Sequence, residues 1–187
     1  MQSLRDEPSA SGVNAAFVDD FLRLVDEAAA RMLTMEDQDA ARPRAAGKWS
    51  RKEVVGHLID SAINNHARFV RAVLQDDLVF DGYDQDAWVR AQRYQERSWP
   101  DLVRAWRTYN RQLADVVSGM APQDLARPRP RHNLHEIAFR SLAADAGATL
   151  GTLIEDYVAH MQHHLRQVLE TDEASRAAAP ESVGVHD

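Results

Sequence analysis

Four stretches of the chain repeat apolar residues with the 3.6-residue period of an amphipathic helix, and none shows the strict alternation of a half-buried strand. The first carries Phe17, Phe21, Leu24, Val25, Ala28 and Met32 on one face, then breaks up in a polar stretch before Pro43. The second is announced by Ser50 with Glu53 three residues on, a capping box that satisfies free N–H groups and places the helix start at Arg51. Its apolar arc holds Val55, Leu58, Ile59, Ala62, His66, Phe69, Val70 and Val73, and the pattern runs out near Gln75 and Asp76. Ser98 as a cap, Pro100 in the first turn and Asp101 near the positive end of the dipole open the third. Its expected buried stripe is Leu102, Trp106, Tyr109, Leu113 and Val116, ended by Gly119 and Pro122. The fourth runs from about Thr152 to Glu170, with Leu150, Ile154, Tyr157, Val158, Met161, Leu165 and Val168 on its apolar side.

This spacing predicts an all-α protein, a four-helix bundle with a long insert between the third and fourth helices. Within that insert a short helix is expected around Ile137 to Ala144, and FDGYDQDAW forms a turn-rich insert after the second helix. With 187 residues, one hydrophobic core is the natural solution, spanning residues 14–170 with flexible termini at 1–13 and 171–187.

Charge narrows the function classes. Formal net charge is −7, so there is no basic field to approach a phosphate backbone, and nucleic acid is not an expected partner. The one basic cluster, Arg127, Arg129, Arg131 and His132, is threaded through Pro128 and Pro130 and reads as a solvated connector. No apolar run approaches a membrane span and the N-terminal stretch is polar, so neither a membrane nor export is expected and the location is taken as cytoplasmic. The absence of cysteine removes disulfides, thiolate metal sites and cysteine nucleophiles together, so sulfur chemistry must come from a ligand.

Histidine carries the candidate chemistry. His160 and His164, four apart on the last helix, share a face, and with Gln167 they lie within about 40° of one another beside the apolar arc. Two such imidazoles can hold one ion, but the same pair also arises on a solvated face. Met161 stands where a zincin-type protease would carry its glutamate base, which disfavours a metalloprotease. His163 turns toward the polar side and is the weaker ligand. Glu53, His57, Ser61, Asn64 and Arg68 form a polar stripe on the second helix, and either a solvated face or a cleft explains it. His66, inside the apolar arc, is expected to be a hydrogen-bonded core histidine. His132, His135 and His186 are expected to be exposed.

Beginning at Gly47, GKWSRKEVVGHLIDSAINNHARF resembles the first signature of the DinB-like family, a Trp-Ser helix start followed by E-x-x-x-H-x-x-D-S. DYVAHMQHHLRQV resembles the second, H-x-x-x-H-x-x-Q. GYDQDAW is similar to the Tyr-Asp-x-Asp-x-Trp insert of the subgroup holding bacillithiol transferases and metal-dependent hydrolases. The resemblance covers about residues 14 to 170. It implies metal ligation by His57, His160 and His164, and it places Tyr83, Asp84, Asp86 and Trp88 in the family's insert. RPRPRHNLHEI stands where relatives carry a His-Pro or Gly-rich stretch, which leaves the role of His132 open.

A three-histidine site leaves coordination positions open, so the ion, zinc or nickel by the resemblance, can activate either a thiol or a water. The resemblance implies a metal-dependent S-transferase joining a low-molecular-weight bacterial thiol, bacillithiol- or mycothiol-like, to a small electrophile. Asn64, Arg68, Tyr83 and Trp88 are the expected pocket residues. A metal-dependent hydrolase of a small ester or amide and a non-enzymatic metal-binding stress-response protein are the alternatives, and the family's bundles imply a homodimer. Asp60 and Asp156 are placed to orient a ligand imidazole, with a surface salt bridge as the other reading.

Overall fold

The computed structural model describes residues 12–143 and 147–170, and among them there are helices and isolated bridges but no strand. In chain order the helices are α1 (Ala15–Met32), α2 (Asp37–Ala41), α3 (Arg51–Leu74), α4 (Gln85–Gln92), α5 (Trp99–Ser118), α6 (Pro122–Ala126), α7 (Leu134–Ile137) and α8 (Leu150–Leu169). A 3-10 turn at Tyr94–Glu96 joins α4 to α5. The long helices close a ring: α3 packs on α5 and α8, and α1 packs on the same two from the other side. Phe21, Met32, Phe69, Trp99, Trp106, Leu113, Ile154 and Met161 fill the space between them. Burial of these side chains, each worth roughly 1.5–3 kcal/mol, is what holds the four helices together.

The starts of the four long helices follow local chemistry with one exception. Ser50 makes both bonds of its capping box, 3.2 Å from the Glu53 N–H and 2.8 Å from its own N–H to Glu53 Oε2. Thr149 accepts the Thr152 N–H at 3.0 Å, so α8 begins at Leu150, two residues before the expected start. Ser98 makes no side-chain cap. The Trp99 N–H donates instead to Asp37 Oδ1 at 2.7 Å, so a carboxylate from α2 supplies the cap that sequence-local reasoning assigned to serine.

The buried faces of α3 and α5 are rotated from those that periodicity predicts. On α3, Val70 and Val73 are exposed and His66 is half-buried, whereas Asn65, Arg68 and Ala72 are inside. On α5, Tyr109 is exposed and Val116 half-buried, while Val103, Asn110, Ala114 and Val117 are buried. The cause is polar pairing that a hydrophobicity pattern does not register. The Tyr157 hydroxyl donates to Asn110 Oδ1 at 2.5 Å and Asn110 Nδ2 donates to Trp106 O at 2.8 Å, so the asparagine is satisfied in the core.

Two expectations for the insert between α5 and α8 are corrected. The short helix lies at Leu134–Ile137 and stops at the first residue of the segment in which it was expected, whose last residue, 144, is outside the described ones. Beyond Ile137 the Phe139 and Arg140 N–H groups go to the Asp156 carboxylate at 2.9 and 2.8 Å, not to preceding carbonyls, so no helix can continue. The prolyl segment is not a solvated connector either. Arg129 is 1% exposed and donates to Ala72 O at 3.0 Å and Gln75 O at 3.2 Å, capping the C-terminal carbonyls of α3. Arg127 and Arg131 clip Asp76 and Asp77 beside it. Arg129→Ala is therefore expected to cost about 2 kcal/mol in urea unfolding, because hydrogen bonds from a charged group are lost inside the protein. Arg131→Ala, at the exposed rim, should stay within about 0.5 kcal/mol, and equal losses would show that burial at Arg129 is not what matters.

Candidate metal centre

Along α3 the residues His57, Ser61, Asn65 and Arg68 recur at helical spacing, so their side chains descend one face. That face is the polar stripe of the sequence with Asn65 in place of Asn64, and it is not solvated: all four residues are at most 9% exposed. α8 packs against α3 and presents His160 and His164 to it. A polar face can be buried here because it is met by another polar face.

The three imidazoles converge. His57 Nε2 and His160 Nε2 are 3.2 Å apart, and one nitrogen from each of His57, His160 and His164 lies within 4.8 Å of the others. The rings stand nearly edge to face, with centroids 4.6 to 5.1 Å apart. Trp49 packs on His57 at 5.2 Å. Gln167 Oε1 accepts from His164 Nδ1 at 3.0 Å, so His164 Nε2 keeps its lone pair, and Ser61 Oγ lies 3.5 Å from His160 Nδ1. Gln167 Nε2 donates to His163 Nε2 at 2.9 Å, so His163 faces Gln167 and is not one of the converging imidazoles.

Burial depresses all three. His57 is pushed down to about 4 by burial and then by His164, and His160 to about 3 by burial and then by its three histidine neighbours. His164 is lowered chiefly by burial, against the Gln167 hydrogen bond. At neutral pH the cluster is uncharged and each ring offers a lone pair. Without metal, the unfolded chain takes up protons near the ordinary histidine value while the folded cluster does not until near pH 4. Folding stability is thus expected to fall as pH drops from about 6.5 to about 4 and to level off above that window. Urea midpoints across this range check it, and His160→Leu should flatten the slope.

The cluster opens into a cavity of about 370 Å³ whose wall includes His160, His163, His164, Ser61, Asn65 and Arg68. Of the expected pocket residues, Arg68 and Tyr83 line it. Asn64 and Trp88 do not: Asn64 Nδ2 turns back to Asp60 O at 2.8 Å, and Trp88 packs behind Tyr83 with ring centroids 4.8 Å apart. Asp84 caps α4 by accepting the Ala87 N–H at 2.9 Å, and Asp86 is exposed. Burial and the Asp60 charge push the Tyr83 phenol up to about 12, so it stays a hydrogen-bond donor.

The two carboxylates proposed as imidazole partners serve other groups. Asp60 is fully buried and accepts from the Tyr94 hydroxyl at 2.6 Å and Gln92 Nε2 at 3.1 Å, with burial raising its pKa. Asp156 holds the Phe139 and Arg140 amides, which seats the Phe139 ring 5.5 Å from His160 and 5.2 Å from His163. Ser61 stood in the polar stripe but not among the expected pocket residues, and sequence reasoning missed Phe139 and Asn65. For Asn65 the signal was present in the spacing from His57, whereas nothing local marks Phe139. His132 is half-buried with Nδ1 accepting the Leu134 N–H at 3.3 Å, His135 is exposed, and His186 lies outside the described residues.

The donor set fits a transition metal. Two bonds of the usual Zn–N length at a tetrahedral angle put nitrogens roughly 3.4 Å apart, and the observed separation of His57 and His160 is 3.2 Å. His57 Nδ1 is buried without a partner, a cost that a strong bond at Nε2 would offset. Three neutral imidazoles from two packed helices, open to a cleft, define the class: helical bundles with a histidine-built metal-type centre. The sequence profile of the DinB superfamily matches residues 20–168, and the chain belongs to that superfamily. YfiT from Bacillus subtilis, described as a probable metal-dependent hydrolase with an unusual four-helix bundle topology, matches with a TM-score of 0.65 at 19% identity. The match covers 94% of this chain and 93% of that one, and it shows the shared fold. No curated protein matches the chain. Among the described residues no helix is long and apolar enough to cross a membrane.

Proposed function

We propose that this protein is a metal-dependent S-transferase that joins a low-molecular-weight bacterial thiol, bacillithiol- or mycothiol-like, to a small electrophile, with zinc or nickel held by His57, His160 and His164. The observation that supports it is the convergence of three uncharged imidazoles beside a cavity of about 370 Å³, large enough for a small substrate. Bound there, a divalent transition metal would supply Lewis acidity, lowering the pKa of a thiol or water at an open position. The chain's own residues do the rest. Gln167 holds His164 in the tautomer that presents Nε2, Ser61 stands beside His160 Nδ1, Trp49 and Phe139 pack around the rings, and Arg68 and Tyr83 offer donors to a substrate in the cavity. Asp156, the acid on the helix that carries His160, already accepts two backbone amides and is not a free base. With Asp156 occupied, Glu136 is the other acid of the cavity wall, and a thiol, which ionises near pH 8.5 unaided, needs a base less than water does. The absence of cysteine in the chain agrees with a sulfur brought by the cosubstrate.

Metal-loaded protein incubated with bacillithiol, mycothiol or glutathione and a chromogenic electrophile should show a rate above the uncatalysed one with at least one thiol. No such rate, together with brisk ester or amide cleavage, moves the assignment to a hydrolase, the reading that the likeness to YfiT favours. A structural or sensory ion would have a closed coordination shell. An unchanged visible spectrum on adding azide to the cobalt-substituted protein would establish that case. The same reading makes the ligand a small molecule, neither nucleic acid nor membrane, with a cytoplasmic homodimer as the working form, which light scattering checks.

A further inference from the structure

Among the described residues three arginines are buried, and two of them have an evident structural task. Arg51 donates to Val168 O and Glu170 O at the C-terminal end of α8, and Arg129 does the same for α3. Arg68 is different. It is 9% exposed, lies in the last third of α3, gives one hydrogen bond to Asp81 O at 2.9 Å, and faces the cavity. Among the described residues no carboxylate lies within ion-pair distance of it, and the Asp81 charge acts on it only from further off; Lys52, buried to a similar degree, has Asp37 at 2.8 Å. A guanidinium carries five N–H donors, and a buried charge left short of partners is costly, so a ligand that brings acceptors to it is stabilised.

We propose that Arg68 is the substrate-reading residue of the cleft, and that the substrate carries a carboxylate remote from the atom that reacts at the imidazoles. This rests on the cleft being the substrate site of the preceding section and adds the class of ligand. Eleven residues of helix separate His57 from Arg68, roughly 16 Å along the axis, so the imidazole cluster and the guanidinium serve different ends of one molecule. Ser61 and Asn65 stand between them on the same face. Tyr83, also in the wall, supplies a second donor beside the guanidinium. Planar carboxylate matches the fork of an arginine in two parallel hydrogen bonds. Phosphate would match it too, but Glu136 and Asp156 line the same cavity, and a dianion would meet two acids and one cation.

The test uses the purified full chain and needs no turnover. N-acetylglycine, its neutral amide and inorganic phosphate are titrated in turn, with the Arg68 Nε–H resonance as the reporter. The carboxylate should bind about tenfold more tightly than the amide, and Arg68→Met should bring the two within about twofold, as expected for loss of a hydrogen bond to a charged group. Equal affinities in the parent protein would overturn the proposal. So would a preference that survives in Arg68→Met, or tighter binding of phosphate than of carboxylate. If Arg68→Met fails to fold, the carboxylate-to-amide ratio and the resonance shift in the parent still decide. A protein that discriminates as stated but transfers no thiol would retain this inference while the S-transferase reading falls.

Discussion

Replacing His57, His160 or His164 with alanine is expected to empty the site, with metal per chain falling from near stoichiometric to a small fraction and thermal stability falling with it. Loss of a residue that merely orients a ligand costs about 10- to 100-fold in metal affinity, and loss of a ligand costs more. Since a bound ion stabilises the folded state alone, each variant should lose the metal-dependent part of its melting temperature, and chelator should shift the parent to the same point. His163→Ala is the control. Its Nε2 is held by Gln167 and its ring packs on Phe139, so metal content and melting temperature should both stay near parental values. Gln167→Ala should fall between, because it frees the His164 tautomer. Elemental analysis of protein purified without an affinity tag gives the readout. Full metal retention in His57→Ala would remove α3 from the centre and leave a pair on one helix.

The second large effect is expected at Gly56, beside His57 in α3. A Cβ there would stand 2.1 Å from Cδ2 and 2.2 Å from Cγ of Tyr94, deep inside contact distance with a ring. The ring has no room to swing, since its hydroxyl is bonded to buried Asp60 at 2.6 Å. Gly56→Ala must therefore push the 3-10 turn off α3, strand an acid that is 0% exposed and disturb the start of α5. Overpacking costs about 1–3 kcal/mol and an unsatisfied buried acid at least as much. The gain in helix propensity returns only about 1 kcal/mol. A net loss of about 2 kcal/mol or more in urea unfolding is expected. Adding Tyr94→Ala removes the clash, so the double variant should be more stable than additivity allows. Parental stability in Gly56→Ala would mean that the turn is not docked as described.

Much of this was legible in one dimension. Apolar recurrence located all four long helices, and the Ser50–Glu53 pair placed the start of α3 at Arg51, because both signals are consequences of helix geometry within a few residues. The pairing of His160 with His164 was equally local. His57 was legible as a candidate only through the resemblance, since its stripe on α3 suited a solvated surface as well. Asn65 and Arg68 show why: a polar residue reads as exposed until something polar is known to face it, and what faces α3 is contributed by α8 and by the segment before it.

From the order of residues alone came the helical class, the number of long helices, the absence of any internal thiol and the pairing of His160 with His164. What tertiary structure decided was the environment of each. Ser98 lost its capping role to Asp37, Arg129 turned from solvated linker into the cap of α3, Tyr109 turned outward in favour of Asn110, and Asp60 and Asp156 were spent on a tyrosine and a loop. The division has a physical origin. Helix propensity and capping act over a turn or two and are written in neighbouring letters. Burial of polar groups depends on partners 16 to 119 residues away, and only packing brings those together.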